Sequence, residues 1–109
     1  MTRRAVVVGA GFGGLAAACH LLGAGWEVDV VERLDQPGGR AGRIERNGFH
    51  FDTGPTVLTM PDLLAAPFAA VGLRLDDHVR LTRLDPAYRA CFADGTELLV
   101  RADADDMVA

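Results

Sequence analysis

The chain has 109 residues, of which 50% are hydrophobic and 24% charged, a composition typical of one globular domain. Its 11 basic residues are all arginine and its 15 acidic residues give a formal net charge of -4, which argues against a nucleic-acid partner. The only cysteines, Cys19 and Cys91, are far apart and have no metal-ligand spacing, so we expect a reduced, cytoplasmic chain with no metal site.

The N-terminal residues predict a strand, a helix and a second strand. Residues 4–8 form a short β-branched run, the pattern of a strand buried on both faces of a parallel sheet. Residues 13–23 carry leucine and alanine at helical spacing, and residues 27–32 return to valine. Such a βαβ unit makes its two strands parallel neighbours. Glycines interrupt the apolar run over residues 5–25, so we do not expect it to span a membrane.

The middle of the chain predicts a loop, a hairpin and a helix. Residues 34–42 are rich in glycine and form a loop, and Asn47-Gly48 between alternating residues indicates a tight hairpin over residues 43–52. A helix is predicted from about Pro61 to Val71, although Pro67 lies inside it.

The C-terminal part predicts further strands. Residues 79–84 suggest a strand, and residues 88–100 suggest a second hairpin closed by Asp94-Gly95. Residues 102–109 begin with aspartates and are typical of the first turn of a helix whose remaining turns are missing. We therefore expect a truncated chain.

A phosphate-binding motif lies where the first strand ends and the first helix begins. Gly9, Gly11 and Gly14 spell G-x-G-x-x-G, and Glu32 closes the second strand at the interval expected of a ribose-binding carboxylate. Glycines there permit a tight turn, a close approach to pyrophosphate and close packing of helix on strand. Within this segment we assign cofactor binding to Gly9, Ala10, Gly11, Gly13, Gly14, Glu32 and Arg33.

The motif leaves the dinucleotide open between FAD and NAD. A carboxylate on the ribose disfavours a 2′-phosphate, although the adjacent Arg33 weakens that exclusion. The glycine-rich loop places Gly39 and Arg40 after the second strand, where a permanent cation on a flexible backbone is suited to contact the pyrophosphate. Phe12, inside the phosphate loop, is expected to pack beneath it.

The order of the segments VVVGAGFGGLAAA, VVERLDQPGGRAG and GFHFDTGPTV resembles the N-terminal region of FAD-dependent oxidoreductases of the amine oxidase and phytoene desaturase superfamily. Within this order, GAGFGGL, QPGGRAG, FDTGPTVLTMPDLL and the later, looser LDPAYRACFADGTEL are most similar to bacterial carotenoid desaturases of the phytoene desaturase type. The resemblance implies an α/β fold, a Rossmann-like FAD-binding βαβ unit with appended β-hairpins and an incomplete sheet. Residues 1–109 would then be the N-terminal part of an FAD/NAD(P)-binding domain, without the substrate domain and the C-terminal flavin-binding segment.

The resemblance also implies roles. Gly54, Pro55 and Thr56 match a segment that passes near the flavin ring in such enzymes, and FAD is the implied cofactor. No catalytic side chain is expected, since the flavin itself accepts the hydride. The implied substrate is a hydrophobic polyene such as phytoene, and it implies peripheral contact with the inner face of the membrane through regions absent here.

Three alternatives stay open at this point. A flavin amine oxidase and a carotenoid isomerase or saturase share the same N-terminal motifs. A non-catalytic dinucleotide-binding fragment, with no redox chemistry of its own, belongs to a different class. The third alternative is that the isolated chain is inactive, because its sheet needs strands from downstream sequence and FAD would be left half enclosed.

Overall fold

The computed structural model describes residues 2–103 and 105, and it divides into two compact units, Met1–His78 and Val79–Ala109. The described residues form two α-helices and six strands, and the strands pair into three separate two-stranded sheets. This is the predicted mixture of helices and incomplete sheets.

The first unit begins with the predicted βαβ arrangement. Strand β1 (Arg4–Val8) leads into helix α1 (Phe12–Gly23), which returns the chain to strand β2 (Glu27–Val31). The two strands are parallel, with Val7 opposite Val30 in the register. The predicted parallel neighbours are therefore confirmed.

The prediction that β1 is buried on both faces is wrong. Side chains of a strand alternate between its two faces, and in β1 Val6 and Val8 are 64% and 85% exposed, whereas Val7 is half-buried. Helix α1 packs against the sheet on the side of Val7, whose Cγ1 lies 3.5 Å from the position of a Cβ at Gly14. A continuous apolar run shows that a strand tolerates burial on both faces, but not how many layers cover it.

A second helix, α2 (Pro61–Ala70), packs against α1. Pro61 occupies its first turn, where the missing amide costs nothing, and the helix continues through Pro67. The two helices approach each other closely at Gly23, where an added Cβ would collide with the carbonyl oxygen of Ala70. Gly23 thus ends α1 as predicted and also permits the helix contact.

The predicted first hairpin is confirmed in detail. Strands β3 (Arg43–Arg46) and β4 (Phe49–Asp52) are antiparallel, and both residues of the intervening turn have positive φ, 53° at Asn47 and 78° at Gly48. Positive φ at both positions is the requirement of the tight turn that Asn-Gly favours.

The second unit contains the other predicted hairpin. Strands β5 (Tyr88–Cys91) and β6 (Glu97–Val100) are antiparallel and joined through a turn at Gly95, whose φ is 86°. The Oδ1 atom of Asp94 accepts hydrogen bonds from the backbone N–H and the hydroxyl of Thr96, at 2.9 and 2.7 Å, and so orders this turn.

Two C-terminal predictions fare differently. The strand predicted over residues 79–84 is wrong, because this segment takes no regular secondary structure. Its apolar residues find no partner strand among the described residues, and a strand without a partner has no hydrogen-bond ladder. Most of the helix start predicted over residues 102–109 lies outside the described residues.

Candidate cofactor-binding site

The turn between β1 and α1 forms an anion cradle. Gly11 caps α1 without a side-chain hydrogen bond, and its carbonyl accepts the first helical bond, from the N–H of Leu15 at 2.9 Å. The amides of the first helical turn have no acceptor within the helix and lie at the positive end of its dipole. These amides are therefore available to a phosphate.

Two of the motif glycines shape this turn rather than line it. Gly9 has a φ of 101°, which side chains rarely adopt, and its N–H donates to the carbonyl of Val31 at 2.7 Å. An added Cβ at Gly14 would collide with the carbonyl oxygen of Gly9. The loop thus turns sharply at the end of the sheet, and α1 packs closely against the strand.

Glu32 fastens the turn from the end of β2. Its Oε2 atom accepts a hydrogen bond from the Ala10 N–H at 2.7 Å, and its Oε1 atom accepts from the N–H groups of Arg33 and Leu34 at 2.8 and 3.0 Å. The bond from Ala10 above all, then that from Leu34, holds the pKa of the Glu32 carboxyl below its usual range. The carboxylate is therefore charged at neutral pH and retains acceptor capacity for hydroxyl groups.

This contact also defines the position of Ala10. Its N–H is bonded to Glu32, its carbonyl accepts from the Gly38 N–H at 2.8 Å, and its side chain is buried. Ala10 is therefore buried and connects the turn to the end of β2 and to the loop at Gly38.

The glycine-rich loop returns to the cradle after β2. Gly38 forms an isolated parallel bridge with Gly11, and Gly39 opens a short 3-10 helix, Gly39–Ala41. An added Cβ at Gly39 would lie 3.3 Å from the Cα of Gly11, so the two backbones are nearly in contact. Arg40, exposed and without an ion pair within residues 2–103 and 105, is thereby carried to the cradle.

A third segment, after β4, completes the site. The Thr53 N–H donates to the carbonyl of Gly42 at 2.9 Å, which continues the hairpin by one residue. Gly54 follows and packs against the Arg40 turn, where an added Cβ would collide with the carbonyl oxygen of Arg40.

The three segments enclose an open cleft of about 730 Å³. It is lined by Gly11, Phe12, Gly13, Gly38, Arg40, Ala41, Thr53, Gly54 and Pro55. Five of these residues were predicted site residues: Gly11, Gly13, Arg40, Gly54 and Pro55. The other predicted residues are not among its lining residues: Gly9, Ala10, Gly14, Glu32, Arg33, Gly39 and Thr56. Among them, Glu32 is bonded to Ala10, Gly14 lies against Gly9, and Gly39 lies against Gly11.

Sequence reasoning missed four lining residues. Phe12, expected to pack beneath the loop, is instead 57% exposed and lines the cleft. Gly38, Ala41 and Thr53 carry no side-chain chemistry that a motif search would select, and only their place in the loops brings them to the cleft. The Gly38-Gly39 pair was the one sequence signal for Gly38, whose φ of 123° favours glycine.

The chemistry of the cleft suits a dinucleotide. The amides of the first helical turn, the exposed Arg40 and the glycines where a Cβ would obstruct the loops fit a pyrophosphate, and the Glu32 carboxylate, which is bonded to the same turn, fits a ribose. Among residues 2–103 and 105, no group of histidine, cysteine, aspartate or glutamate could hold a metal ion. No helix within the same ranges is long and apolar enough to cross a membrane.

Comparison with known proteins places this cleft in a family context. The family model described as flavin containing amine oxidoreductase matches residues 12–109. The chain is 65% identical over 104 residues to a phytoene dehydrogenase of Streptomyces griseus, covering 95% of the chain and 20% of that protein. It is 48% identical over 96 residues to a zeta-carotene-forming phytoene desaturase of Myxococcus xanthus, covering 88% of the chain and 19% of that protein.

A third relative and one solved structure extend the comparison. The chain is 45% identical over 107 residues to a lycopene-forming phytoene desaturase of Pseudescherichia vulneris, covering 98% of the chain and 22% of that protein. The crystal structure of reduced UDP-galactopyranose mutase matches with a TM-score of 0.45 and 35% identity, over 53% of the chain and 13% of that structure. The chain thus spans about a fifth of the length of these curated relatives.

Proposed function

We infer the function from one premise: this chain belongs to the flavin-containing amine oxidoreductase family, whose model matches residues 12–109. Its cofactor is FAD, in agreement with the amide cradle, the Arg40 turn and the Glu32 carboxylate around the cleft. We propose that the chain forms the FAD-binding part of an oxidoreductase that desaturates a carotenoid precursor such as phytoene.

One observation carries the proposal for the substrate. The identity of 65% to a phytoene dehydrogenase extends over 95% of the chain. Further relatives, named as forming zeta-carotene or lycopene, match at 48% and 45% identity. We propose on this basis that the substrate is a long hydrophobic polyene and that its entry involves peripheral contact with a membrane.

We assign each part of FAD to a different group of residues. We propose a Rossmann-like unit in which the amides after Gly11 bind the pyrophosphate, Arg40 neutralises its charge, and Glu32 accepts the ribose hydroxyls. The segment from Gly54 to Thr56 orients the ring end of the cofactor through its backbone.

The chain supplies position and electrostatics, and no side chain of it needs to react. Bound FAD would supply the hydride acceptor for the dehydrogenation. Gly13 adds no side chain to the cradle. The neighbouring Phe12 is exposed and contributes an apolar ring to the same cleft. The ionised Glu32 stabilises the turn by accepting hydrogen bonds from the backbone N–H groups of Ala10 and Arg33.

A second candidate rests on a different relative. The chain is 39% identical over 103 residues to a 4,4'-diapolycopene oxygenase of Methylomonas. An oxygenase would use the same FAD site on a related polyene but would leave an oxygenated product. Product analysis therefore separates the two candidates, whereas cofactor content does not.

The test uses the complete protein that carries this chain. We expect the purified protein to be yellow, to release FAD on denaturation, and to convert phytoene into more conjugated polyenes whose absorption lies at longer wavelengths. The Gly14→Ala variant is the negative control: an added Cβ there collides with the Gly9 carbonyl oxygen, so the variant should lose FAD and product together. A colourless protein that binds NAD would overturn the proposal, and oxygenated products from a yellow protein would favour the second candidate.

A further inference from the structure

The three segments around the cleft approach one another closely at glycines. An added Cβ at Gly39 would lie 3.3 Å from the Cα of Gly11, and one at Gly42 would lie 3.0 Å from the side-chain Oγ1 atom of Thr53 and 3.1 Å from the carbonyl oxygen of Gly39. Gly54 closes the series by packing against the Arg40 turn. We call this arrangement, formed by Gly11, Gly39, Gly42 and Gly54, the glycine stack.

Gly54 is the most restricted member of the glycine stack. A Cβ there would collide with the carbonyl oxygen of Arg40 and would lie 2.9 Å from its carbonyl carbon and 3.3 Å from the Cα of Ala41. Real Cβ atoms do not approach backbone this closely, and backbone cannot swing aside as a long side chain can. The φ of Gly54 lies outside the left-handed region, so space alone demands glycine here.

The contact joins the two segments to which we assign opposite halves of the cofactor. Arg40 lies on the turn that touches the phosphate cradle through Gly39, whereas Gly54 begins the segment assigned to the ring end of the cofactor. Any side chain at position 54 must push the Arg40 turn or its own segment away. A shift of the turn displaces Arg40, and a misplaced cation loses much of a charge-assisted hydrogen bond.

We propose that Gly54 is a positioning residue for Arg40, and so governs the affinity for the pyrophosphate half of the cofactor although its own segment faces the other half. This inference rests on the proposed FAD site. It makes a distinctive claim, because a residue that only contacted the flavin ring would have no influence on a ligand that lacks the ring.

ADP is the probe that separates these roles, since it carries the adenosine and the pyrophosphate without the flavin. We would measure ADP and FAD binding by calorimetry to the complete apoprotein and its variants. Loss of one charge-assisted contact predicts about a tenfold weaker ADP affinity for Arg40→Ala and a similar loss for Gly54→Ala. The double variant should be no more than about twofold weaker than either single variant, because both changes remove the same contact.

Gly23→Ala is the matched control. It creates the same kind of collision, of a Cβ with a carbonyl oxygen, but between α1 and α2 at Ala70 and away from the cleft. We expect it to lower the thermal midpoint while leaving ADP affinity unchanged. Gly42→Ala is a gentler second variant, with contacts of 3.0 Å to Thr53 Oγ1 and 3.1 Å to the Gly39 carbonyl oxygen, and it carries the test if Gly54→Ala fails to fold.

The outcomes separate this inference from the proposed function. ADP affinity that is unchanged in Gly54→Ala while FAD affinity falls would overturn the positioning role and leave the FAD site intact. Fully additive losses, or an equal loss of ADP affinity in Gly23→Ala, would also overturn it. A wild-type protein that binds neither ADP nor FAD would instead refute the proposed function itself.

Discussion

Neighbouring glycines of α1 should respond oppositely to the same substitution. An added Cβ at Gly14 collides with the carbonyl oxygen of Gly9 and lies 3.0 Å from its carbonyl carbon, whereas one at Gly13 meets nothing within 4 Å. To restore ordinary contact, α1 or the phosphate loop must shift by about 1.5 Å, and such overpacking typically costs about 1–3 kcal/mol. Gly14→Ala should therefore lower the free energy of unfolding by about that amount.

Gly13→Ala provides the opposite sign within the same helix turn. It adds a methyl group to open space and restricts the unfolded chain, which stabilises proteins by about 0.4–1 kcal/mol. The assay is urea denaturation of the apoprotein, followed by far-UV circular dichroism, for wild type and both variants. If both substitutions change the free energy of unfolding in the same direction, the close approach of Gly14 to Gly9 is refuted as the reason for glycine at position 14.

Three further predictions follow from single contacts. Glu32→Gln places an amide N–H₂ against backbone donors, so FAD affinity should fall, while Glu27→Gln at the exposed start of β2 should leave it unchanged in the same fluorescence titration. Pro67→Ala restores a helical amide in α2 and should raise the free energy of unfolding by about 1–3 kcal/mol in urea denaturation; an unchanged value would show that α2 already accommodates the ring without cost. Asn47→Ala forces alanine to a φ of 53° and should lower the thermal midpoint, at a cost of about 1 kcal/mol, whereas Asn47→Gly should not.

The Glu32 contact also predicts a pH dependence. Backbone hydrogen bonds lower its pKa from the ordinary value of 4.5, so its carboxylate contribution is fully present above that value. The contribution is lost as the pH falls through the lowered pKa, because the protonated group no longer accepts all three amides. Wild-type FAD affinity should therefore decline on acidification more steeply than that of Glu32→Gln, which has no carboxylate to protonate.

Local patterns were sufficient for most of the elements. The strand-helix-strand order at the N-terminus and both hairpins follow from signals confined to a few residues, such as the turn at Asn47. Backbone requirements of this kind are met or violated within one turn, so no distant contact is needed to read them. The strand predicted over residues 79–84 failed because pairing requires a partner that local sequence does not reveal.

The motif predicted where the candidate cleft lies but not how it is built. Gly11, Gly13 and Arg40 line the cleft as residue type and spacing suggested. The hydrogen bond from Ala10 to Glu32 joins residues 22 positions apart, and no spacing rule predicts which oxygen meets which amide.

By itself, the sequence was sufficient for the N-terminal βαβ unit, both hairpins, the glycine-rich turn and the family, because each depends on residue types at short intervals. Only the tertiary structure decided that Gly54 packs on the Arg40 turn and that Phe12 faces the cleft. The physical reason is that two kinds of glycine look identical in a sequence: one where neighbouring atoms leave no space for a side chain, and one where a positive φ disfavours other residues. Gly54 is required because the Arg40 turn lies against it, whereas Gly48 is required by its own positive φ and has nothing within 4 Å of an added Cβ.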